Sequence, residues 1–246
     1  MQQRSKKIKK SFFIILVVLI VLSGGSAIYL GNYYHSIDVE KYMNGSSEVS
    51  VEKFDKGWFF DGAGEEKALI FYPGAKVATE AYAPLMYQLA ESGIDCFLVD
   101  MPFHMAFFGM NRAEEIMQEY NYEAWYLGGH SLGGAMAANF AADYVEDHTD
   151  GIRGLLLLAA YPTKDLSTSD MSVVTVYGSE DGVLNMDKIV AGRELMPQDY
   201  KEVCIEGGNH AQFGSYGAQK GDGTAAIPAE EQWARTVEVF VGDESE

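Results

Sequence analysis

The pentapeptide Gly129-His130-Ser131-Leu132-Gly133 constrains this chain more than any other stretch, because of what stands on either side of it. A short β-like run, 124–127, leads in, and a run rich in alanine and other small residues, 132 to about 146, reads as a helix leading out. A serine between a strand and a helix, with glycines two positions to each side, fits a strained turn in which larger side chains would collide. Gly128 and Gly134 extend the pattern. The plainer alternative is that the glycines only permit close packing and Ser131 caps the helix.

Around this turn, β-like runs alternate with helix-like ones from residue 47 onward. That alternation predicts an α/β fold, a mostly parallel central sheet with helices on both faces. Residues 48–54 and 57–61 read as an opening hairpin at the sheet edge. Further strands are expected at 67–72, 95–99, 154–160, 173–177 and 201–205, and helices at 79–92, 112–120 and 230–241. Leu155-Leu156-Leu157-Leu158 suits a strand buried on both faces. About a dozen residues separate the strands at 154–160 and 173–177, which predicts no large cap domain and an open, shallow site. With 246 residues, 48% of them apolar, the chain has enough material for one sizeable core.

The N-terminus differs in character. Arg4, Lys6, Lys7, Lys9 and Lys10 precede an apolar run at 12–22, and the apolar character resumes after Ser23-Gly24-Gly25-Ser26 to reach residue 30. The stretch 12–30 approaches the ~20 residues that span a bilayer as a helix. Residues 1–34 are therefore expected to form a membrane anchor, or a signal segment if cleaved, and 35–246 an extracytoplasmic domain, since positive residues stay on the cytoplasmic side. With five of the 18 basic residues in that cluster, 13 remain against 36 acidic ones, which argues against nucleic acid as a partner. Cys96 and Cys204 each lie in an apolar, strand-like run and are expected to be buried free thiols. No metal or cofactor site is expected.

A serine hydroxyl needs an adjacent base to act as a nucleophile. His210, in Gly207-Gly208-Asn209-His210-Ala211, follows the strand at 201–205 on a glycine-rich loop that could carry an imidazole over the sheet edge. His35 adjoins the apolar segment, His130 lies inside the pentapeptide and His148 in a polar stretch. His104 is the remaining rival, expected to line the pocket. An acid to orient the base is expected at another strand end, and Asp181 in Gly178-Ser179-Glu180-Asp181-Gly182 is preferred to Glu180. The order serine, acid, histidine along the chain is a further constraint. Two backbone donors would complete the site: the amide of Leu132, and that of Ala75 or Lys76 in Pro73-Gly74-Ala75-Lys76. Phe103 and Phe107, with Phe108 and nearby methionines, are expected either to wall the pocket or to pack into the core.

Together these residues resemble the α/β-hydrolase superfamily, and within it small lidless serine hydrolases related to the dienelactone-hydrolase-like branch, over about residues 66–241. The resemblance implies nucleophile Ser131, acid Asp181, base His210 and an oxyanion loop at Pro73-Gly74-Ala75-Lys76. Many members carry His-Gly where this chain has Pro73-Gly74, and dienelactone hydrolases proper carry cysteine where Ser131 stands. The expected activity is hydrolysis of a small carboxylic ester or thioester without a cofactor. The alternatives are acyl transfer to a cell-envelope acceptor, or a non-catalytic, membrane-anchored binding module.

Overall fold

The computed structural model describes residue 25 and residues 31–148 and 151–243. The chain divides into two compact units, Met1–Tyr33 and Tyr34–Glu246. The expected membrane segment therefore lies outside the described residues, apart from Gly25. Among the described residues, no helix is long and apolar enough to cross a membrane.

The second unit is built on one eight-stranded sheet. In chain order the strands are β1 (Ser50–Phe54), β2 (Gly57–Asp61), β3 (Lys67–Tyr72), β4 (Asp95–Val99), β5 (Ala124–His130), β6 (Ile152–Leu158), β7 (Ser172–Gly178) and β8 (Tyr200–Ile205). Across the sheet they run β1-β2-β4-β3-β5-β6-β7-β8. The hairpin β1–β2 is antiparallel and joins β4 antiparallel, while every other pairing is parallel. The helices are α1 (Glu40–Met43), α2 (Ala83–Glu91), α3 (Arg112–Glu119), α4 (Leu132–Asp147), α5 (Met186–Gly192) and α6 (Ala229–Asp243).

Side chains alternate across a strand, so a central strand must supply two cores. On one face Leu69, Phe71, Leu98, Leu156 and Val174 meet Leu85, Met86 and Leu89 of α2 and Trp233, Val237 and Phe240 of α6. On the other face Ile70, Val99, Leu127, Leu155 and Leu157 meet Ile116 of α3 and Ala137, Ala138 and Ala141 of α4. All four leucines at 155–158 are fully buried. The small residues of α4 let its backbone lie close against the sheet.

Four expectations need correction. The helix expected at 79–92 opens as a 3-10 turn, Thr79–Tyr82, and becomes α-helical only around Pro84, which suits a first turn because it has no N–H to donate. The strand expected at 154–160 is Ile152–Leu158, ending where Ala159 turns to φ 46°. Helix α5 was not anticipated; its first turn is capped by the Asn185 side chain, which accepts the Lys188 amide at 3.2 Å. Cys204 is exposed, because β8 is an edge strand with one wet face, whereas Cys96 is buried; both are free thiols.

Leu156→Ala would open a cavity among fully buried neighbours and should cost about 2–5 kcal/mol. Urea unfolding should show this as a lower midpoint at unchanged slope.

Candidate active site

In a parallel sheet, loops at the carboxyl ends of the strands share one edge, and residues distant in sequence meet there. Three loops matter here. The turn from β5 into α4 carries Ser131 at φ 53° and ψ −121°, a left-handed conformation unusual for a side chain that is not glycine. The glycines make the turn possible. A Cβ on Gly133 would lie 2.1 Å from the Tyr72 carbonyl oxygen, and one on Gly129 would lie 2.6 Å from the Gly133 carbonyl carbon. The Ser131 amide donates to Leu158 O at 2.8 Å, and Ser131 O accepts from Ala135 N at 3.1 Å, so neighbouring elements hold the strained residue.

The loop after β7 carries Asp181 and the loop after β8 carries His210. Asp181 Oδ2 lies 2.8 Å from His210 Nδ1, and both side chains are 2% exposed. Asp181 Oδ1 accepts the amides of Val183 at 2.9 Å and Leu184 at 2.7 Å, so the carboxylate is fixed in orientation. Glu180 is exposed, and among the described residues its carboxylate accepts only from the Ser179 hydroxyl of its own loop, at 3.3 Å. With Nδ1 facing the acid, Nε2 of His210 is the ring atom left over; it is buried and has no hydrogen-bond partner among the described residues. Ser131 and His210 line the same cleft, of about 350 Å³, with no hydrogen bond between Oγ and Nε2. Such bonds often tighten only when substrate binds.

Two residues that the sequence reading passed over hold these loops together. Asp222 accepts four backbone amides: Gly182 at 3.1 Å, His210 at 3.3 Å, Ala211 at 2.8 Å and Gly223 at 2.9 Å. It thereby ties the loop after β7 to the loop after β8. Gln232 of α6, fully buried, accepts the Asn209 amide at 3.0 Å and donates to the Asn209 carbonyl at 2.8 Å, as a neighbouring strand would. A third, His130, is also buried, and its ring centroid lies 4.4 Å from that of His210.

The loop after β3 sits beside the turn. Lys76, at φ 59°, donates its amide to His104 O at 2.7 Å, so of the two amides expected as second donor only that of Ala75 has no acceptor among the described residues. The expected pocket wall is not where the sequence placed it. Phe103 and Phe107 are 58% and 48% exposed, cluster with Phe108, and do not line the cleft beside Ser131. His104 is half-buried on the same loop, outside that cleft, and burial lowers its pKa. Leu132, Ala135, Met136, Ala159, Ala160, Tyr161, Thr163, Val183, Leu184 and Asn185 form the lining instead. The cleft is thus mostly apolar and draws on α4 and on the segments after β6 and β7. No group of three or more His, Cys, Asp or Glu among the described residues could hold a metal ion.

The chain has no match among curated proteins. Among solved structures it resembles carboxyl esterase 2 of the mycorrhizal fungus Tuber melanosporum, with a TM-score of 0.60 at 12% identity over 85% of this chain and 89% of that one. The monoacylglycerol lipase of Paleococcus ferrophilus gives 0.57 at 14% identity, over 80% and 99%. The esterase domain of a Rhodothermus marinus protein gives 0.56 at 13% identity, over 79% and 97%. At such identities the likeness is one of fold. The sequence profile of the Alpha/beta hydrolase family matches residues 68–234, a span that runs from β3 to α6 and contains all three loops. By that match the chain belongs to the alpha/beta hydrolase family.

Proposed function

We propose that this protein hydrolyses a small carboxylic ester or thioester through a covalent acyl-Ser131 intermediate. The observation that carries the proposal is the buried 2.8 Å contact between Asp181 and His210, in a cleft that His210 shares with a serine on a strained turn. Asp181 fixes the ring so that Nε2 faces the cleft as a base. Ser131 Oγ attacks the substrate carbonyl carbon while its proton passes to Nε2. The oxyanion forms beside the amides of Leu132 and Ala75, the first of them at the positive end of α4. Collapse breaks the bond to the leaving alcohol or thiol, which takes the proton from His210. Water then attacks the acyl-enzyme with His210 as base, releasing the acid and restoring Ser131.

A cleft of about 350 Å³ lies at the small end of ligand sites, which favours a compact acyl group. Only residues 159–171 connect β6 and β7, so this connection supplies no large cap. That an esterase and a lipase are among the proteins of similar fold agrees with an ester as substrate. Kinship with the dienelactone-hydrolase-like branch rests on the motifs alone. The basic cluster followed by the apolar stretch 12–30 supports an anchored domain outside the cytoplasmic membrane.

Ser131→Ala should remove hydrolysis of p-nitrophenyl acetate by at least ~10³-fold and abolish labelling by a fluorophosphonate probe, while leaving the melting temperature near that of the native protein. Equal labelling of native protein and variant would exclude Ser131 as nucleophile. Asp181→Asn should lower kcat by about 10³- to 10⁴-fold, because the amide cannot hold the ring in the same tautomer. Asp222→Ala leaves four amides without their acceptor, two of them buried with His210 and Ala211. It should lower both melting temperature and kcat, as calorimetry and steady-state kinetics on one preparation would show.

A further inference from the structure

Beneath the His210 ring lies an imidazole that the chemistry above does not use. His130 is 1% exposed, with ring centroids 4.4 Å from His210 and 5.7 Å from Phe213. Its Nδ1 lies 2.8 Å from the hydroxyl of Tyr82, which is itself fully buried. That hydroxyl also accepts the Gly74 amide at 3.0 Å, and Gly74 directly precedes Ala75. A Cβ on Gly74 would come within 2.8 Å of both His130 Nδ1 and Tyr82 Oη, so only glycine lets the pair close on this loop.

The phenol oxygen accepts the Gly74 N–H and has a single hydrogen to donate, and Nδ1 is the acceptor in reach. In that arrangement a neutral His130 carries its own hydrogen on Nε2, a buried atom with no hydrogen-bond partner among the described residues. Burial first, and then the neighbouring His210, hold the pKa of His130 well below the ordinary histidine value. The ring thus stays neutral when His210 takes up a proton during turnover. The sequence Gly74 N–H to Tyr82 O–H to His130 joins the loop after β3 to the floor on which His210 rests.

We propose that Tyr82 and His130 are positioning residues of this active site, locking the loop that carries the Ala75 amide at a fixed spacing from His210. The proposal rests on the hydrolase reading and deepens it. Neither residue touches substrate. Their effect passes through the placement of an oxyanion donor, where one donor is worth about 10²- to 10³-fold in rate and a shift of about 1 Å costs about 10²-fold.

The test compares Tyr82→Phe, His130→Leu and His130→Asn with the native protein, using p-nitrophenyl acetate turnover, the rate of fluorophosphonate labelling and thermal melting, at matched folded concentration. Tyr82→Phe and His130→Leu should each lower kcat by about 10- to 100-fold with KM changed less than about threefold, and should slow labelling in parallel. His130→Asn keeps an acceptor where Nδ1 stood and should recover most of the loss. The double variant Tyr82→Phe/His130→Leu should be no slower than the worse single one, since the pair acts as a unit. In the native protein the ¹⁵N resonances of His130 should report a neutral ring protonated at Nε2, and Tyr82→Phe should shift its Nδ1. Three results would overturn the proposal: Tyr82→Phe with kcat within twofold of native, losses confined to KM, or His130→Asn no better than His130→Leu. A native protein that neither turns over ester nor labels at Ser131 would instead remove the hydrolase reading itself, and the positioning role with it.

Discussion

The close approach between the turn after β5 and the loop after β3 governs the rest of the site. Gly133 stands so near the carbonyls of Tyr72 and Pro73 that a methyl group there would lie 2.1 Å and 2.4 Å from their oxygens. Because backbone meets backbone, α4 starts beside the loop that carries Ala75, and the Leu132 amide comes to the same edge. Ser131 bears the cost as a positive φ, of order 1–3 kcal/mol, and the hydrogen bonds to Leu158 and Ala135 together with the buried carboxyl ends of β5 and β6 hold it there. An alanine at position 133 would force the helix away and spoil the relation between serine, loop and sheet at once.

The opposite wall is organised by a division between two carboxylates. Asp181 turns one oxygen to the His210 ring and the other to its own loop, while Asp222 spends both oxygens on backbone amides of the two loops. The first orients the ring; the second fixes where the ring is mounted. Gln232 adds a tie from α6, so His210 rests on β8, α6 and the segment around residue 222 together. In the proposed mechanism an imidazole placed this way would need little reorganisation to accept a proton from Ser131.

Much of this was legible before any coordinates. Strands 67–72 and 95–99 are found with the bounds read from the sequence, because continuous apolar runs bounded by glycine, proline or aspartate leave few other readings. The pairing of Asp181 with His210 was anticipated from two loops that each follow a strand. What escaped depends on three-dimensional neighbours rather than local pattern. Tyr82 falls inside the helix expected at 79–92, and only the fold brings its hydroxyl between Gly74 and His130. Asp222, in Gly221-Asp222-Gly223, carries no local pattern that marks it as a link between two distant loops. Phe103, Phe107 and Phe108 were drawn toward the cleft by their position after β4, yet the loop turns them outward, with Phe103 and His104 both at positive φ. Cys204 shows the same limit: an apolar run tells that a strand forms, not that it sits at an edge.

In the proposed chemistry, serine, imidazole and two amides converge on one reacting carbon. A crystal structure of the protein after reaction with a fluorophosphonate would show whether they do. Phosphorus should be bonded to Ser131 Oγ, with its oxygen within about 3 Å of the amides of Leu132 and Ala75 and His210 Nε2 facing the ester oxygens. Phosphorus on another side chain, or an adduct on Ser131 whose oxygen points away from both amides with His210 out of reach, would contradict it.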